Sequence, residues 1–337
     1  MLKKVTILLV VLLSILFATL FWSYQQVLAF IEQPVRLEQS QLLEVKSGTT
    51  ARRLLNQLSE QELISNIKWA RFVNRVAPDL MDIKTGTYWV EKEVTVRELL
   101  ELVGAGQEHQ FSITFVEGSR FSEWLTLLKT KEGLEHTIGD QSEAEIATEL
   151  GIEREKLEGL FLPETYAYTA GTTDLAILKR AHKALNDVLE SAWSEKMESL
   201  PLANQYEALT LASIIEKETA IHGERRRISS VFVNRLNRRM RLQTDPTVIY
   251  GMGEAYTGNI RKSDLRRPTP YNTYTIFGLP PTPIAMAGEA SIRAAVNPET
   301  SKYLYFVASG DGGHTFSKSL VEHNRAVRVY LNKLRNQ

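Results

Sequence analysis

The sequence predicts an α+β protein with an N-terminal transmembrane helix, a small α+β module and a larger mixed α+β domain. Three observations predict this architecture. The chain has 337 residues, which is enough for two globular units. One uncharged apolar run lies near the N-terminus, and short segments with strand or helix periodicity alternate through the rest of the chain.

Composition excludes several classes of function. The chain has 40 basic and 40 acidic residues, so no overall field attracts nucleic acid as a partner. It has no cysteine, which excludes disulfides and thiol chemistry and suits the cell envelope. Its six histidines form no HExxH motif, and the sequence contains no phosphate-binding or dinucleotide-binding motif. We therefore expect catalysis without a metal or another cofactor.

The first predicted element is a membrane helix. Residues 5–24 are long enough to cross about 30 Å of hydrocarbon, and Trp22 lies where interfacial aromatic residues belong. Two lysines before the helix predict a cytoplasmic tip at residues 1–4. The expected location is the cell inner membrane, crossed once, with the body of the protein in the periplasm. A signal peptide cleaved after Ala29 is the alternative, although its apolar core would be unusually long.

A short linker and a small module are expected next. Residues 25–41 contain Pro34 and several polar side chains, which predict a linker. Residues 42–106 predict a strand, two short helices, a second strand and a third helix. This order resembles that of LysM-type glycan-binding modules. A simple spacer between domains is the alternative.

The larger domain is expected at residues 107–337. Its pattern predicts a strand at 111–116, a long helix at 174–197, and a hairpin with a closing helix at 303–334. The loop at 158–166 combines a glycine and a proline with clustered aromatic residues. Such a loop either lines a sugar subsite or forms a buried turn.

A helix at residues 209–219 is the centre of the predicted chemistry. Its leucines and isoleucines recur at helical spacing, and Glu218 follows on the same stripe. A carboxyl held against apolar side chains has a raised pKa and retains a proton for general acid catalysis, as cleavage of a glycosidic bond requires. Glu216 points about 200° away around the helix. The alternative is that Glu218 pairs with the basic run at 225–227.

Two later segments predict a polar site. Gln243, Thr244 and Asp245 place hydrogen-bonding groups together just before Pro246, which is expected to end regular structure. Asp245 is equally compatible with capping a turn. The segment at 271–284 is too rich in proline and glycine for a helix or central strand, and a loop of this length inside a domain is usually functional.

Several long motifs in one order carry a family resemblance. They resemble those of the YceG-like family of endolytic murein transglycosylases. One position departs from the family pattern, because Thr282 stands where the family usually has glycine. The motifs are LASIIEKET, VFVNRL, RLQTDPTVIYGMG, YNTYTIFGLPPTPIA, YLYFVASGDGGHTF and EGLFLPETYAY.

The resemblance implies a specific reaction. It implies cleavage of the β-1,4 bond between N-acetylmuramic acid and N-acetylglucosamine within nascent glycan strands, which leaves 1,6-anhydro ends and would end strand elongation. It also implies that Glu218 is catalytic and that peptidoglycan synthases are partners. The residues expected to bind the sugar are Gln243, Thr244, Asp245, Asn272, Tyr274 and His314.

The sequence is also compatible with two alternative functions. One is a membrane-anchored scaffold that binds peptidoglycan without cleaving it. The other is a lysozyme-type muramidase, which would require a second carboxylate about 5 to 9.5 Å from the acid. Asp245 is the candidate for that second carboxylate.

Overall fold

The computed structural model describes residues 2–335, which form two compact units. The small unit contains the chain up to Phe111 together with Ala167–Gly171. The large unit contains Ser112–Tyr166 and the chain from Thr172 onward. Helices predominate in both, and within the described residues the strands form two-stranded sheets with the pairs β1–β2, β3–β5, β4–β6 and β7–β8. The predicted mixture of helices and strands is confirmed.

The N-terminal helix α1 spans Leu2–Ile31 and is long and apolar enough to cross a membrane. The linker expected at residues 25–41 therefore begins later than predicted. The helix continues because Val27, Phe30 and Ile31 are buried in the core of the small unit, so its last turns gain from packing as well as from backbone hydrogen bonds.

The small unit has the predicted order of strand, two helices, strand and helix. Thr95 and Glu98 form a capping box that begins the last of these helices. The two strands pair antiparallel, with Leu43 opposite Tyr88, whose side chain is fully buried. The elements are β1 Gln41–Val45, α2 Ala51–Glu60, α3 Ala70–Val76, β2 Gly86–Val90 and α4 Val96–Ala105, with a 3-10 turn at Ile67–Trp69 before α3.

The large unit is organised around one core helix, α8. Residues from Ala208 to Ile215 are buried on every side, because α7, α9, α10 and α11 all pack against this helix. β3 begins at the last residue of the small unit before Ser112, and β5 ends in its Ala167–Gly171 segment. The elements before α8 are β3 Phe111–Thr114, α5 Phe121–Lys129, β4 Leu134–Glu135, α6 Glu143–Leu150, β5 Thr165–Tyr168, β6 Thr172–Thr173 and α7 Asp174–Ser194. Those from α8 onward are α8 Gln205–Glu218, α9 Arg225–Asn237, α10 Asp245–Met252, α11 Glu289–Val296, β7 Tyr305–Ala308, β8 His314–Ser317 and α12 Leu320–Arg335.

One local expectation in this unit is wrong. Pro246 was expected to end regular structure, but it lies in the first turn of α10. Proline is tolerated there because the first N–H groups of a helix have no partner within the helix, and its fixed φ suits the helical backbone. As a result, Thr244 and Asp245 stand at the beginning of a helix rather than in an irregular loop.

Candidate functional site

Glu218 lies in the wall of a cleft in the large unit that encloses about 370 Å³. It reaches the cleft because it is the last residue of α8, just beyond the buried part of that helix. The core therefore fixes the backbone that carries the carboxyl group. The other residues that line the cleft are Arg235, Leu242, Gln243, Thr244, Asp245, Tyr274, Tyr305, Phe306, Leu320 and His323.

Thr244 is the direct partner of Glu218. Its hydroxyl donates a hydrogen bond to Oε1 of the glutamate. Thr244 is itself held by two other buried threonines: its N–H donates to Oγ1 of Thr273 at 3.0 Å, and its carbonyl accepts from Oγ1 of Thr247 at 2.7 Å. The hydroxyls of Thr247 and Thr273 are 2.8 Å apart. Three threonines therefore fix the hydroxyl that contacts the carboxyl group.

The surroundings of Glu218 favour its protonated form. Burial raises the pKa of Glu218 above its usual value, and the negative charge of Asp245 raises it further. The hydrogen bond from Thr244 and the charges of His314 and Arg235 act in the opposite direction, but burial is the largest effect. Glu218 is therefore suited to donate a proton near neutral pH.

Asp245 and Tyr274 form a second polar pair in the cleft. The Tyr274 hydroxyl donates to Oδ1 of Asp245 at 2.6 Å. Burial raises the pKa of Tyr274, and the hydrogen bond to Asp245 raises it further, so the phenol keeps its proton. Asp245 is exposed, which leaves its carboxylate accessible from the cleft.

Arg235 also lines the cleft, although the sequence argument did not select it. Its side chain is buried, and its guanidinium donates to the carbonyls of Leu304 at 2.7 Å and Leu242 at 2.8 Å. It lies over the ring of Tyr305 at 5.1 Å. Burial lowers its pKa, although the nearby charge of Glu218 acts to raise it. The sequence could have indicated that Arg235 is buried, because it lies four residues after Val231 in VFVNRL. Residues four apart share one side of a helix, and Val231 is on the buried side of α9.

Gln243, like Asp245, is an exposed member of the predicted polar run. It lines the cleft, and its Oε1 is 3.4 Å from a guanidinium nitrogen of Arg235. Its φ is 51°, in the left-handed region that residues other than glycine rarely adopt. Such strain is maintained only where the surrounding structure imposes it, and it is concentrated at functional sites.

Asn272 does not line the cleft but is buried behind its wall. Its amide nitrogen donates to the carbonyls of Asp264 at 3.1 Å and Arg267 at 2.7 Å, and lies 3.3 Å from that of Leu265. Its amide oxygen accepts from the backbone N–H of Tyr274 at 2.9 Å. Asn272 thus holds the loop that carries Tyr274.

His314 also lies outside the cleft lining. Its Nδ1 is 2.7 Å from Oε2 of Glu224, and its backbone N–H donates to Oε1 of the same carboxylate at 3.0 Å. Its ring packs edge to face on Phe306, which does line the cleft. The structure therefore brings Gln243, Thr244, Asp245 and Tyr274 together with Glu218, and leaves Asn272 and His314 outside the lining of the cleft.

The basic run after α8 bonds to groups other than Glu218. Arg225 is buried and lies 3.5 Å from Oε1 of Glu216 and 3.7 Å from Oε2 of Glu117. Arg227 pairs with Glu299 at 3.0 Å. The carboxyl group of Glu216 therefore belongs to a buried ion-pair network on the other side of α8, whereas Glu218 faces the cleft.

The aromatic loop at 158–166 packs into the core. The ring of Phe161 stacks on Phe121, with centroids 5.3 Å apart, and also contacts Trp124. This arrangement agrees with the buried turn rather than with a sugar subsite. Glu158, in the same loop, accepts a hydrogen bond from the N–H of Phe121 at 3.0 Å, and burial raises its pKa to about 7.

Thr282 fits the loop in which the family pattern has glycine. Its hydroxyl lies 2.9 Å from that of Tyr271 and donates to the carbonyl of Pro283 at 2.8 Å. It is not among the residues with a positive φ, so its backbone conformation does not require glycine.

Comparisons with known proteins identify the family of the chain. The sequence profile of the YceG-like family matches residues 43–329. An endolytic murein transglycosylase of Bacillus subtilis is 30% identical over 307 residues, which cover 86% of this chain and 84% of the relative. An endolytic murein transglycosylase of Streptococcus pneumoniae is 32% identical over 188 residues, or 54% of this chain and 34% of the relative. A crystal structure of a protein described as YceG-like from Listeria monocytogenes has a TM-score of 0.52 at 28% identity, over 86% of this chain and 99% of that chain.

Proposed function

The chain belongs to the YceG-like family, and from this premise we propose that it is an endolytic murein transglycosylase, a lyase that cleaves the glycan strands of peptidoglycan. The observation that supports the proposal best is the setting of Glu218. It is a carboxyl group in a cleft, with a pKa raised by burial and a threonine hydroxyl bonded to it. This is the setting that an acid catalyst of glycosidic bond cleavage requires.

We propose that one carboxyl group acts twice. Protonated Glu218 donates its proton to the glycosidic oxygen as the bond from that oxygen to C1 of the muramic acid breaks. The 6-hydroxyl of the same sugar then attacks C1, and the Glu218 carboxylate accepts the hydroxyl proton. The new bond closes the 1,6-anhydro ring, and no water is consumed. Glu218 gives up one proton and takes back one proton, so it returns to its protonated starting state.

The two opposing influences on Glu218 match these two steps. Burial favours the acid form that the first step needs. The hydrogen bond from Thr244 favours the carboxylate that the second step needs. We further propose that Gln243, Asp245 and Tyr274 contact the sugar from the cleft wall. Asn272 and His314 would support that wall from behind.

A muramidase remains the alternative within enzymes. Asp245 is a second accessible carboxylate in the same cleft, and its charge acts on Glu218. It would serve as the second carboxylate of a hydrolase. The hydrogen bond from Tyr274 favours a different role for Asp245, that of holding the phenol in place. The chemical form of the product ends distinguishes the two reactions.

We propose that α1 is retained as a membrane anchor. Cleavage after Ala29 would divide α1 between Val27 and Phe30, two residues that fill the core of the small unit. Lys3 and Lys4, in the first turn of α1, favour a cytoplasmic N-terminus in the cell inner membrane, with the enzyme in the periplasm. This position would place it beside peptidoglycan synthases.

We also propose that the order of elements in the small unit reflects a LysM-like module at residues 42–106, followed in the chain by a catalytic domain at 107–337. The β1–β2 pair and the two helices between these strands support the likeness. Binding of the module to glycan is part of the proposal.

The test compares the full chain with its Glu218→Gln variant on uncrosslinked glycan strands. The full chain is used in detergent because α1 supplies part of the core of the small unit. Glu254→Gln, which changes an exposed carboxyl group on a turn, is the matched control. Mass spectrometry of the products identifies the chemical form of the new ends.

The expected result is internal fragments with 1,6-anhydro ends, formed by the native chain and by Glu254→Gln. With Glu218→Gln the rate should fall by roughly 10²–10⁴-fold or more, as for the loss of a general acid. Retained activity in Glu218→Gln would refute its role. Reducing ends would indicate hydrolysis, and intact strands that still bind the protein would favour the scaffold.

A further inference from the structure

One face of the small unit combines cations with aromatic rings. We call it the basic-aromatic face; it consists of Lys68, Trp69, Arg71, Phe72 and Arg75. The three cations are exposed and the two rings are partly buried. Lys68 lies 5.5 Å from the centroid of Trp69, and Arg71 and Arg75 lie 4.6 Å and 5.9 Å from that of Phe72. Aromatic rings and long cationic side chains both suit the interface between membrane and water, because each has an apolar body and a polar end.

The face lies beside the point where α1 would leave the bilayer. The segment of α1 from Val5 to Tyr24, which follows the two lysines, is about 30 Å long, which is the thickness of the hydrocarbon core, and Trp22 lies in its last turn. Trp22 therefore occupies the interface. The ring of Trp69 contacts that of Trp22 edge to face, with centroids 5.7 Å apart. Trp69 must then lie at the level of the lipid headgroups.

The structure fixes this face relative to α1. Gln33, two residues beyond the helix, donates from Nε2 to the carbonyl of Ser65 at 3.1 Å and accepts from the Ser65 N–H at 2.9 Å. Ser65 lies two residues before the 3-10 turn Ile67–Trp69, which carries Lys68 and Trp69 of the face. Arg97, in α4, also pairs at 2.7 Å with Glu32, the residue that follows α1. A unit attached in this way cannot turn the face freely away from the membrane.

The charge of the face is not neutralised by the protein. Residues 66–76 contain three cations and no carboxylate. Within residues 2–335, none of these three cations forms an ion pair with an acidic side chain. Their guanidinium and ammonium groups remain available to phosphate oxygens.

We propose that the basic-aromatic face binds the headgroups of anionic phospholipids on the outer surface of the membrane that α1 crosses. Trp69 and Phe72 lie in the interface, and Lys68, Arg71 and Arg75 contact lipid phosphates. The inference rests on the proposed anchor. It adds a second membrane contact, which holds the small unit against the bilayer and sets its orientation.

The test uses the absence of native cysteine to place a single fluorophore. Asn74→Cys puts an environment-sensitive label on the exposed side of α3, next to Arg75. Ser47→Cys is the control, in the exposed turn after β1, whereas α1 packs against α3, the 3-10 turn before it and α4. Each labelled full chain is reconstituted in phosphatidylcholine vesicles, with or without phosphatidylglycerol, that contain headgroup-labelled nitroxide lipid as a quencher.

The label at residue 74 should be quenched more strongly than that at residue 47, and phosphatidylglycerol should increase the difference. Replacing Lys68, Arg71 and Arg75 by glutamine should weaken the contact by roughly fivefold per charge in anionic vesicles. The matched double variant Arg52→Gln/Arg53→Gln removes exposed cations from α2 and should have no effect.

Equal quenching at the two positions would overturn the proposal, as would a difference that the glutamine variants leave unchanged. Flotation separates this result from a failure of the anchor. A chain that does not float with the vesicles would overturn the membrane anchor and, with it, the lipid contact. A chain that floats with both labels equally quenched would overturn only the contact.

Discussion

Replacing Asn272 by alanine tests whether this residue binds sugar, as the family resemblance suggested, or holds the wall of the cleft. Its amide nitrogen has two protons, which bond to backbone carbonyls of the 264–267 turn, and its oxygen accepts from the N–H of Tyr274. About three hydrogen bonds are therefore lost. The partners left behind are backbone groups around a side chain that is only 1% exposed.

The expected magnitude follows from that burial. A hydrogen bond contributes about 0.5–1.5 kcal/mol net, and a buried partner left unsatisfied costs about 1–3 kcal/mol. Some of the freed carbonyls lie near solvent at the turn, so we expect a loss of about 2–4 kcal/mol in the free energy of unfolding. If Asn272 were only a ligand of the sugar, the change in stability would stay within about 0.5 kcal/mol.

The assay is urea unfolding of the full chain, with hydrogen exchange in peptides of α8 and α10 reporting the large unit. Gln243→Ala is the matched control, since it removes the same amide group from an exposed position in the cleft. It should weaken cleavage of glycan strands with little change in stability. Unchanged stability of Asn272→Ala together with a raised KM would refute the supporting role and restore the sugar contact.

Two further predictions concern protons. Thr244→Val removes the hydrogen bond that favours the Glu218 carboxylate, so the pKa of Glu218 should rise, and the loss of activity at alkaline pH should begin at a higher pH than in the native chain. A pH–rate profile checks this shift, and an unchanged alkaline limb would count against Glu218 as the acid. For Glu158, the folded pKa of about 7 exceeds the ordinary value of 4.5, so the folded state holds a proton that the unfolded state releases. Stability should therefore fall by about 3 kcal/mol as the pH rises between these two values and then remain level. Glu158→Gln should remove that dependence in urea titrations at about pH 5 and about pH 8; an equal dependence in both proteins would contradict the assignment.

Local patterns were sufficient to place Glu218 near the end of a largely buried helix. The spacing of apolar residues before Glu218 predicted a buried helix that ends at a carboxyl group, and the structure has that helix. The adjacent run of Gln243, Thr244 and Asp245 correctly indicated a polar wall, because residues adjacent in sequence reach the cleft together at the beginning of α10.

Roles that depend on distant partners were not visible in the sequence. Asn272 was expected to bind sugar, and only the folded turn at 264–267 surrounds its amide with carbonyls. His314 bonds to Glu224, ninety positions earlier in the chain. Arg235 was missed because a charged residue in an amphipathic helix is usually solvated, whereas backbone carbonyls of other segments make its burial possible here.

The position of Glu218 at the very end of α8 has a consequence for the fold. The aligned peptide dipoles of a helix leave a partial negative charge at its C-terminus, which disfavours a carboxylate there by about 0.3–1 kcal/mol. Glu207, in the first turn of the same helix, has the opposite situation: its carboxylate meets the positive end and accepts from the N–H of Ala203 at 2.8 Å. Glu207 therefore stabilises the helix, whereas an ionised Glu218 would destabilise it. The same dipole that makes Glu218 a poor residue for a helix end helps it to keep the proton that it must deliver.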